Sequence, residues 1–189
     1  MKETMHESLK GQLLIAMPEL PDPFFFHSVS LIFEHDKNGA VGLIINKEHP
    51  ELTAKHIFNE IKIECSNEFN KIPIYLGGPV NQGRVYILHE KPFGWKGTLE
   101  VTPDIAITNT LDIMYAIAKN EGPERFLLII GNAGWTQGQL EKEIMANAWL
   151  HTSISEEIIF DIPAKKRWEK ANLIMGINPG QLSSAIGHA

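Results

Sequence analysis

A chain of 189 residues, 43% of them hydrophobic and 21% charged, carries enough apolar material for a single globular domain spanning 1–189 without covalent staples. Its formal charge of -6 removes the general electrostatic attraction that draws proteins to DNA, RNA or anionic membranes. Cys65 is the only cysteine, which excludes an internal disulfide and a cysteine-built zinc site and points to a reducing compartment.

The first residues, with Lys2, Glu3, His6 and Glu7, lack the apolar core of a signal peptide, and no apolar run reaches membrane-spanning length. The expectation is a cytoplasmic protein without a membrane segment, with residues 1–10 loosely ordered. Residues 11–17 read as a buried strand, and Pro18, Pro21 and Pro23 make the following stretch an extended loop. Residues 28–34 and 41–46 read as strands joined through Asp36-Lys37-Asn38-Gly39, a hairpin signature with Asn-Gly at the turn. Residues 53–61 read as a short helix with Ile57 and Ile61 on one side. Strand signals at 72–76 and 84–89 bracket the glycine-rich connection from Gly77 to Gly83 and predict a second antiparallel pair, and 98–101 is an additional strand. Between 109 and 119 the residues Leu111, Met114, Ile117 and Ala118 trace a helical stripe that Glu121-Gly122-Pro123 ends.

The run from Arg125 to Trp149 is the most informative. An apolar strand at 126–130 is expected to break at Gly131 into a glycine-rich turn, with positive φ at Gly131 or Gly134 and Trp135 as a plug over the sheet. Thr136 and Gln139 fit a capping box, which starts a helix near Gln137 that carries Leu140, Ile144 and Ala148 on its apolar side. A strand at 157–160 and a helix at 164–175 complete the chain. Hairpins with interspersed helices predict α+β: a curved mixed, largely antiparallel sheet including a small barrel, with helices packed outside.

In order along the chain stand Gly11-x-Leu13-Leu14-Ile15-Ala16-Met17-Pro18, Gly39-Ala40-Val41-Gly42-Leu43-Ile44-Ile45-Asn46 and Gly77-Gly78-Pro79-Val80. Ala133-Gly134-Trp135, Gly138-Gln139-Leu140-Glu141, Asn147-Ala148-Trp149-Leu150, Arg167-Trp168 and Gly187-His188-Ala189 follow. With these blocks the chain resembles the AlgH/YqgE family of bacterial proteins from Gly11 to its last residue. The resemblance implies a bifurcated sheet with a small closed barrel and helices outside. For function it implies only the transcriptional-regulator label that some members bear, and no helix-turn-helix with clustered basic residues can be traced here to support it. Asn132 stands where many relatives are expected to carry an aromatic residue, so a ligand stacked there would be held differently.

The chemistry-bearing motifs are mostly absent. The glycines follow neither nucleotide-loop spacing, none of the eight histidines forms His-x-His or His-Glu-x-x-His, and no G-x-S-x-G elbow occurs. No metal or cofactor is therefore expected, and Cys65 reads as an inert thiol. His35, Asn46, His89, Trp135, Gln139 and Asn147 lie at strand ends, turns and a helix start, and the expectation is that they share one concave ligand-binding surface. The competing reading leaves the two asparagines serving loop backbone and the two histidines unrelated. A binding or regulatory module for a small molecule or protein partner ranks first. A hydrolase or other enzyme built on His35, His89 and Glu141 ranks second, and a transcriptional regulator third.

Overall fold

Leu13 and Ile15 face one hydrophobic cluster while Leu14 and Ala16 face another, in a computed structural model that describes residues 8–178. Leu31 and Ile32 divide in the same way, and so do Leu128 and Ile129. A strand covered on both faces has no use for polar alternation, which is why these segments read as unbroken apolar runs.

The antiparallel strands β1 (Gln12–Ala16), β2 (Val29–Asp36) and β3 (Gly39–Ile44) form a meander. The β2–β3 turn uses only Lys37 and Asn38 as its loop, with Asp36 opposite Gly39 and the Asp36 carboxylate accepting the Asn38 N–H at 2.7 Å. Strand β4 (Glu48–Thr53), helix α1 (Ala54–Glu60), a 3-10 turn (Asn67–Lys71) and β5 (Pro73–Leu76) follow. Next come β6 (Val80–Glu90), β7 (Leu99–Glu100), β8 (Ile105–Thr108), α2 (Leu111–Ala118) and β9 (Phe126–Thr136). The chain closes with α3 (Gln139–Met145), β10 (Trp149–Ser153), a π-helical turn (Glu157–Asp161) and α4 (Ala164–Ile174). The strands run in the order β10-β1-β2-β3-β9-β6-β8-β7, a mixed α+β sheet curled into a half-barrel and open along one side.

Strand β9 is where the sheet bifurcates. Its first half, Leu128–Ile130, lies between β6 (antiparallel) and β5 (parallel), while Ala133 to Trp135 and Thr136 pair with β3. The predicted β5–β6 pair therefore does not form: β9 is inserted between the two strands. Their connection crosses β9 so closely that a Cβ on Gly77 would come within 2.3 Å of the Gly131 carbonyl oxygen. The break predicted at Gly131 is not there either. Gly131 adopts φ +73, as expected, but the strand runs through it to Thr136.

Three further expectations are corrected. Gly138, in the left-handed region, is the cap of α3, and only half of the capping box exists: Gln139 Oε1 accepts from the Thr136 N–H at 3.0 Å and from its hydroxyl at 3.1 Å. The segment predicted as a strand at 157–160 is the π-helical turn, in which the adjacent Ile158 and Ile159 are both buried, as successive residues of a single-faced strand are not. Strands β4, β8 and β10 were not anticipated. Of the opening segment, residues 1–7 and, at the other end, Gly187-His188-Ala189 lie outside the described residues, whereas Leu9 is buried and Gly11 donates to the Ile32 carbonyl at 2.8 Å. Helices α1 and α2 cover one face of the sheet with Phe58, Ile113 and Ile117, α3 covers another with Leu140, and α4 caps the inside of the curl with Ala171.

Candidate functional site

The six residues singled out in the sequence separate into groups. His35, Trp135 and Gln139 come together beneath α3. The His35 ring is almost fully buried, with Nδ1 accepting the Leu9 N–H at 2.9 Å and Nε2 3.0 Å from Glu141 Oε1. Because Nδ1 is an acceptor, the proton sits on Nε2 and is donated to Glu141. Trp135 donates its indole N–H to Glu143 Oε2 at 2.9 Å, Trp149 donates to the same oxygen at 2.8 Å, and Gln139 donates to Oε1 at 2.9 Å. One carboxylate thus holds two indoles and an amide, with the Phe25 ring packed 5.8 and 5.4 Å from the two indoles.

The other three are elsewhere. Asn46 accepts from the Val29 N–H at 2.8 Å and donates to the His27 carbonyl at 2.9 Å, tying the end of β3 to the start of β2. Asn147 is exposed, in the left-handed conformation just past α3. His89 is completely buried; Nδ1 donates to the Glu90 carbonyl at 2.7 Å, Nε2 lies 2.9 Å from the Thr108 hydroxyl, and burial pulls its pKa below the ordinary value. Register fixes its distance from His35. His89 stands opposite Phe126 at the start of β9, whereas His35 stands opposite Ala40, which stands opposite Trp135. Those two points on β9 are nine residues apart, on the order of 30 Å of strand at about 3.3 Å per residue. A hydrolytic centre joining His35 to His89 has no geometry here.

The structure assembles a different polar site. Two bulges, one in β2 and one in β6, line a common hollow. In β2 the register slips between Ile32 and Glu34, leaving Phe33 as an extra residue. In β6 Val80 stands opposite Asn132 but Val85 opposite Ile130, so residues 81–84 oppose Gly131 alone. Such insertions bend the strand and re-aim its side chains. Here they deliver Glu34 from one side and Asn81 and Arg84 from the other to a hollow of about 470 Å³, shared with Tyr86, Asn109 and Asn132. The backbone permits this because Gly131 takes positive φ and a Cβ there would meet the Gly78 carbonyl oxygen at 2.7 Å.

Asn132 is the buried hub. Its Oδ1 accepts from Asn81 Nδ2 at 2.9 Å and from the Tyr86 hydroxyl at 3.2 Å, and its Nδ2 donates to the Ala133 carbonyl at 3.2 Å. Arg84 lies over the Tyr86 ring, with Cζ 5.6 Å from the centroid. Asn109, with its amide oxygen turned to the guanidinium as two facing donors require, accepts from Nη2 at 2.7 Å and Nε at 3.0 Å. Phe33, Glu34 and Val41 also line an adjoining hollow of about 470 Å³ that reaches His35 and Trp135. Of the residues forming the site, only Asn132 carried a signal in the sequence, as the departure from an expected aromatic. Arg84 read simply as the start of a strand. Among the described residues no cluster of three histidine, cysteine or acidic side chains could hold a metal ion.

A family model described as AlgH-like matches residues 13–180. A UPF0301 protein of Desulforapulum autotrophicum is 45% identical over 181 residues, covering 96% of each chain. Another from Legionella pneumophila strain Lens is 43% identical over 183 residues, covering 96% of this chain and 97% of its own. The solution structure of the AlgH protein from Pseudomonas aeruginosa superposes with a TM-score of 0.80 at 36% identity over the whole of both chains. A crystal structure of a Corynebacterium diphtheriae protein shares the fold, with a TM-score of 0.69 at 22% identity over 90% of this chain and 88% of its own.

Proposed function

The chain belongs to the AlgH-like family, and on that premise we propose that it is a cytoplasmic binding module that takes up a small polar molecule between the two bulges and reports occupancy to a protein partner. The observation that carries this reading is the convergence of both bulges on one hollow. Each bulge gives up ladder pairing, and bulges gather where a strand must re-aim side chains toward a ligand. The hollow has the size that small-molecule sites have, and its polar side chains converge from several strands beside an apolar part formed by Phe33, Val41, Leu99 and Ile107. His35 and Trp135, on the adjoining hollow, give a longer ligand a second compartment.

A binding role fits better than a catalytic one. Both ring nitrogens of His35 and of His89 are already engaged inside the protein. Binding without turnover has a consequence only when something else reads it, which supports the regulatory part of the proposal. The charge of -6, and an acid in the same hollow as its one arginine, favour a partner other than nucleic acid. Unpaired Cys65 supports a reducing compartment, and no helix among the described residues is long and apolar enough to cross a membrane. The test is an amide NMR titration of the full chain with a panel of charged and neutral metabolites and nucleotides. The expected response is a set of shifts at Glu34, Asn81, Arg84 and Asn132, with Asn46 and Asn147 unmoved. A panel that leaves the first four residues still ends this reading.

A further inference from the structure

Building on that binding reading, we propose that the ligand of this hollow is amphoteric: one oxyanion, a carboxylate or a phosphate, that docks on Arg84, joined to N–H donors that dock on Glu34 and Asn81.

The chain has three arginines. Arg125 is saturated by Glu90, Glu156 and Asp161. Arg167 is buried and donates to the carbonyls of Ile45 and Ile162 and to the Tyr75 hydroxyl. Arg84 makes no ion pair among the described residues and meets only the Asn109 amide oxygen and the Tyr86 ring face. A neutral amide orients a guanidinium without neutralising it. Of the five N–H donors of the fork, those two contacts use two, so a pre-oriented cation with three donors remains, which is what bidentate recognition of an oxyanion needs.

The opposite wall has the opposite polarity. The Glu34 side chain lines the same hollow and makes no hydrogen bond or ion pair among the described residues. Asn81 spends an Nδ2 hydrogen on Asn132, leaving Oδ1 as an acceptor, and Tyr86 spends its hydroxyl proton on the same atom, leaving oxygen lone pairs. Donors thus collect at Arg84 and Asn109, and acceptors at Glu34, Asn81 and Tyr86. A polyanion would satisfy the first group and be repelled by Glu34. A molecule with one oxyanion and one donor-bearing end satisfies both, with Phe33, Val41, Leu99 and Ile107 receiving its apolar body.

Calorimetry and amide NMR on the full chain with matched probes test this. L-Leucine and adenosine monophosphate carry the two oxyanion sources with N–H donors; 4-methylpentanoate and ribose 5-phosphate are their counterparts free of N–H donors, and pyrophosphate is the polyanion. At least one donor-bearing probe is expected to bind at least about tenfold more tightly than its counterpart and than pyrophosphate, as a lost charge-assisted hydrogen bond implies. Which of the two binds decides between carboxylate and phosphate. R84Q should abolish that binding with the thermal midpoint unchanged, and E34Q should erase the preference for the donor-bearing probe. The proposal is overturned if neither donor-bearing probe binds, if a probe free of N–H donors or pyrophosphate binds equally well, or if R84Q binds as the parent does. Shifts at the hollow with neutral panel members alone would leave the binding reading standing while this one falls.

Discussion

Arg125 and Arg84 flank the same strand, β9, and meet opposite surroundings. Arg125, just before the strand, donates from Nε to Glu90 at 2.7 Å and from Nη2 to Glu156 at 2.7 Å, reaches Asp161 at 3.5 Å, and lies over the Phe160 ring at 5.1 Å. Its carboxylate partners push its pKa above the ordinary arginine value. Arg84, farther along the strand at the bulge opposite Gly131, has no carboxylate partner among the described residues. Exposure does not separate the two, because the Arg125 side chain is itself 35% exposed. Saturation does: a guanidinium whose donors are filled by the protein holds the fold, and one held in place but unfilled is available to something else.

Arg167 is the buried limit of the internally bonded kind and the place to break the comparison hardest. It is 3% exposed, stacks on Tyr75 with Cζ 5.1 Å from the ring centroid, and is bonded to carbonyls that have no other use for a cation. Arg167→Ala removes these donors and opens a void under α4, so urea denaturation should show a loss on the order of 3 kcal/mol. Arg167→Met, which keeps most of the volume, should recover part of it. A loss under about 1 kcal/mol would mean that saturation is not what marks a structural arginine here.

Much of the fold was legible because two-sided burial writes itself into composition. Leu13 to Ala16 and Val29 to Phe33 could be little else than buried strands. Where one local pattern admits two structures, the reading failed. Ile158-Ile159 suits a short strand or a helical turn, and Ala148 continues the helical spacing of Leu140 and Ile144 although α3 ends at Met145 and β10 begins at Trp149. Strand β4 has no buried residue and contains Pro50, so no apolar period announced it. The site was less legible for a deeper reason. Its walls are register slips, and a slip is a relation between strands far apart in sequence: nothing local to Asn81 or Arg84 says that residues 81–84 will oppose a single glycine. Asn46, Gln139 and His35 were rightly seen as polar groups at element ends, but each turned out to be committed to internal hydrogen bonds.

The closed side of the comparison also holds His89, whose Nδ1 donates to the carbonyl of Glu90, the residue that pairs with Arg125. The ring is enclosed edge-on by Phe93 and Trp95, at centroid distances of 5.8 and 5.2 Å, and has no carboxylate partner among the described residues. Burial lowers its pKa, and the Glu90 carbonyl only partly offsets this. The folded value therefore lies below the unfolded value of about 6.5, so acid loads protons onto the unfolded chain first. The stabilisation is complete above that pH and is lost as pH falls from about 6.5 toward the folded value, with a slope of at most about 1.4 kcal/mol per pH unit. His89→Gln should flatten the stability profile in that window. Part of the slope should survive through His27, whose pKa burial and Lys47 also lower. An unchanged profile would mean that His89 does not take up a proton on unfolding.

The smallest expected effect is the sharpest test of the comparison. Arg125→Met should lower the thermal midpoint, and by less in high salt, because it strands Glu90, Glu156 and Asp161 beside one another without their cation. Arg84→Gln strands no acid. It removes one amide contact and one ring contact from an exposed side chain, so stability should stay within about 0.5 kcal/mol of the parent, at low and high salt alike. If Arg84→Gln instead destabilised as much as Arg125→Met and with the same salt dependence, Arg84 would be serving the fold through charges and the distinction between filled and unfilled guanidinium groups would collapse. A near-silent substitution leaves a cation that Asn109 and Tyr86 orient and the fold does not need, which is the condition the proposed recognition role requires.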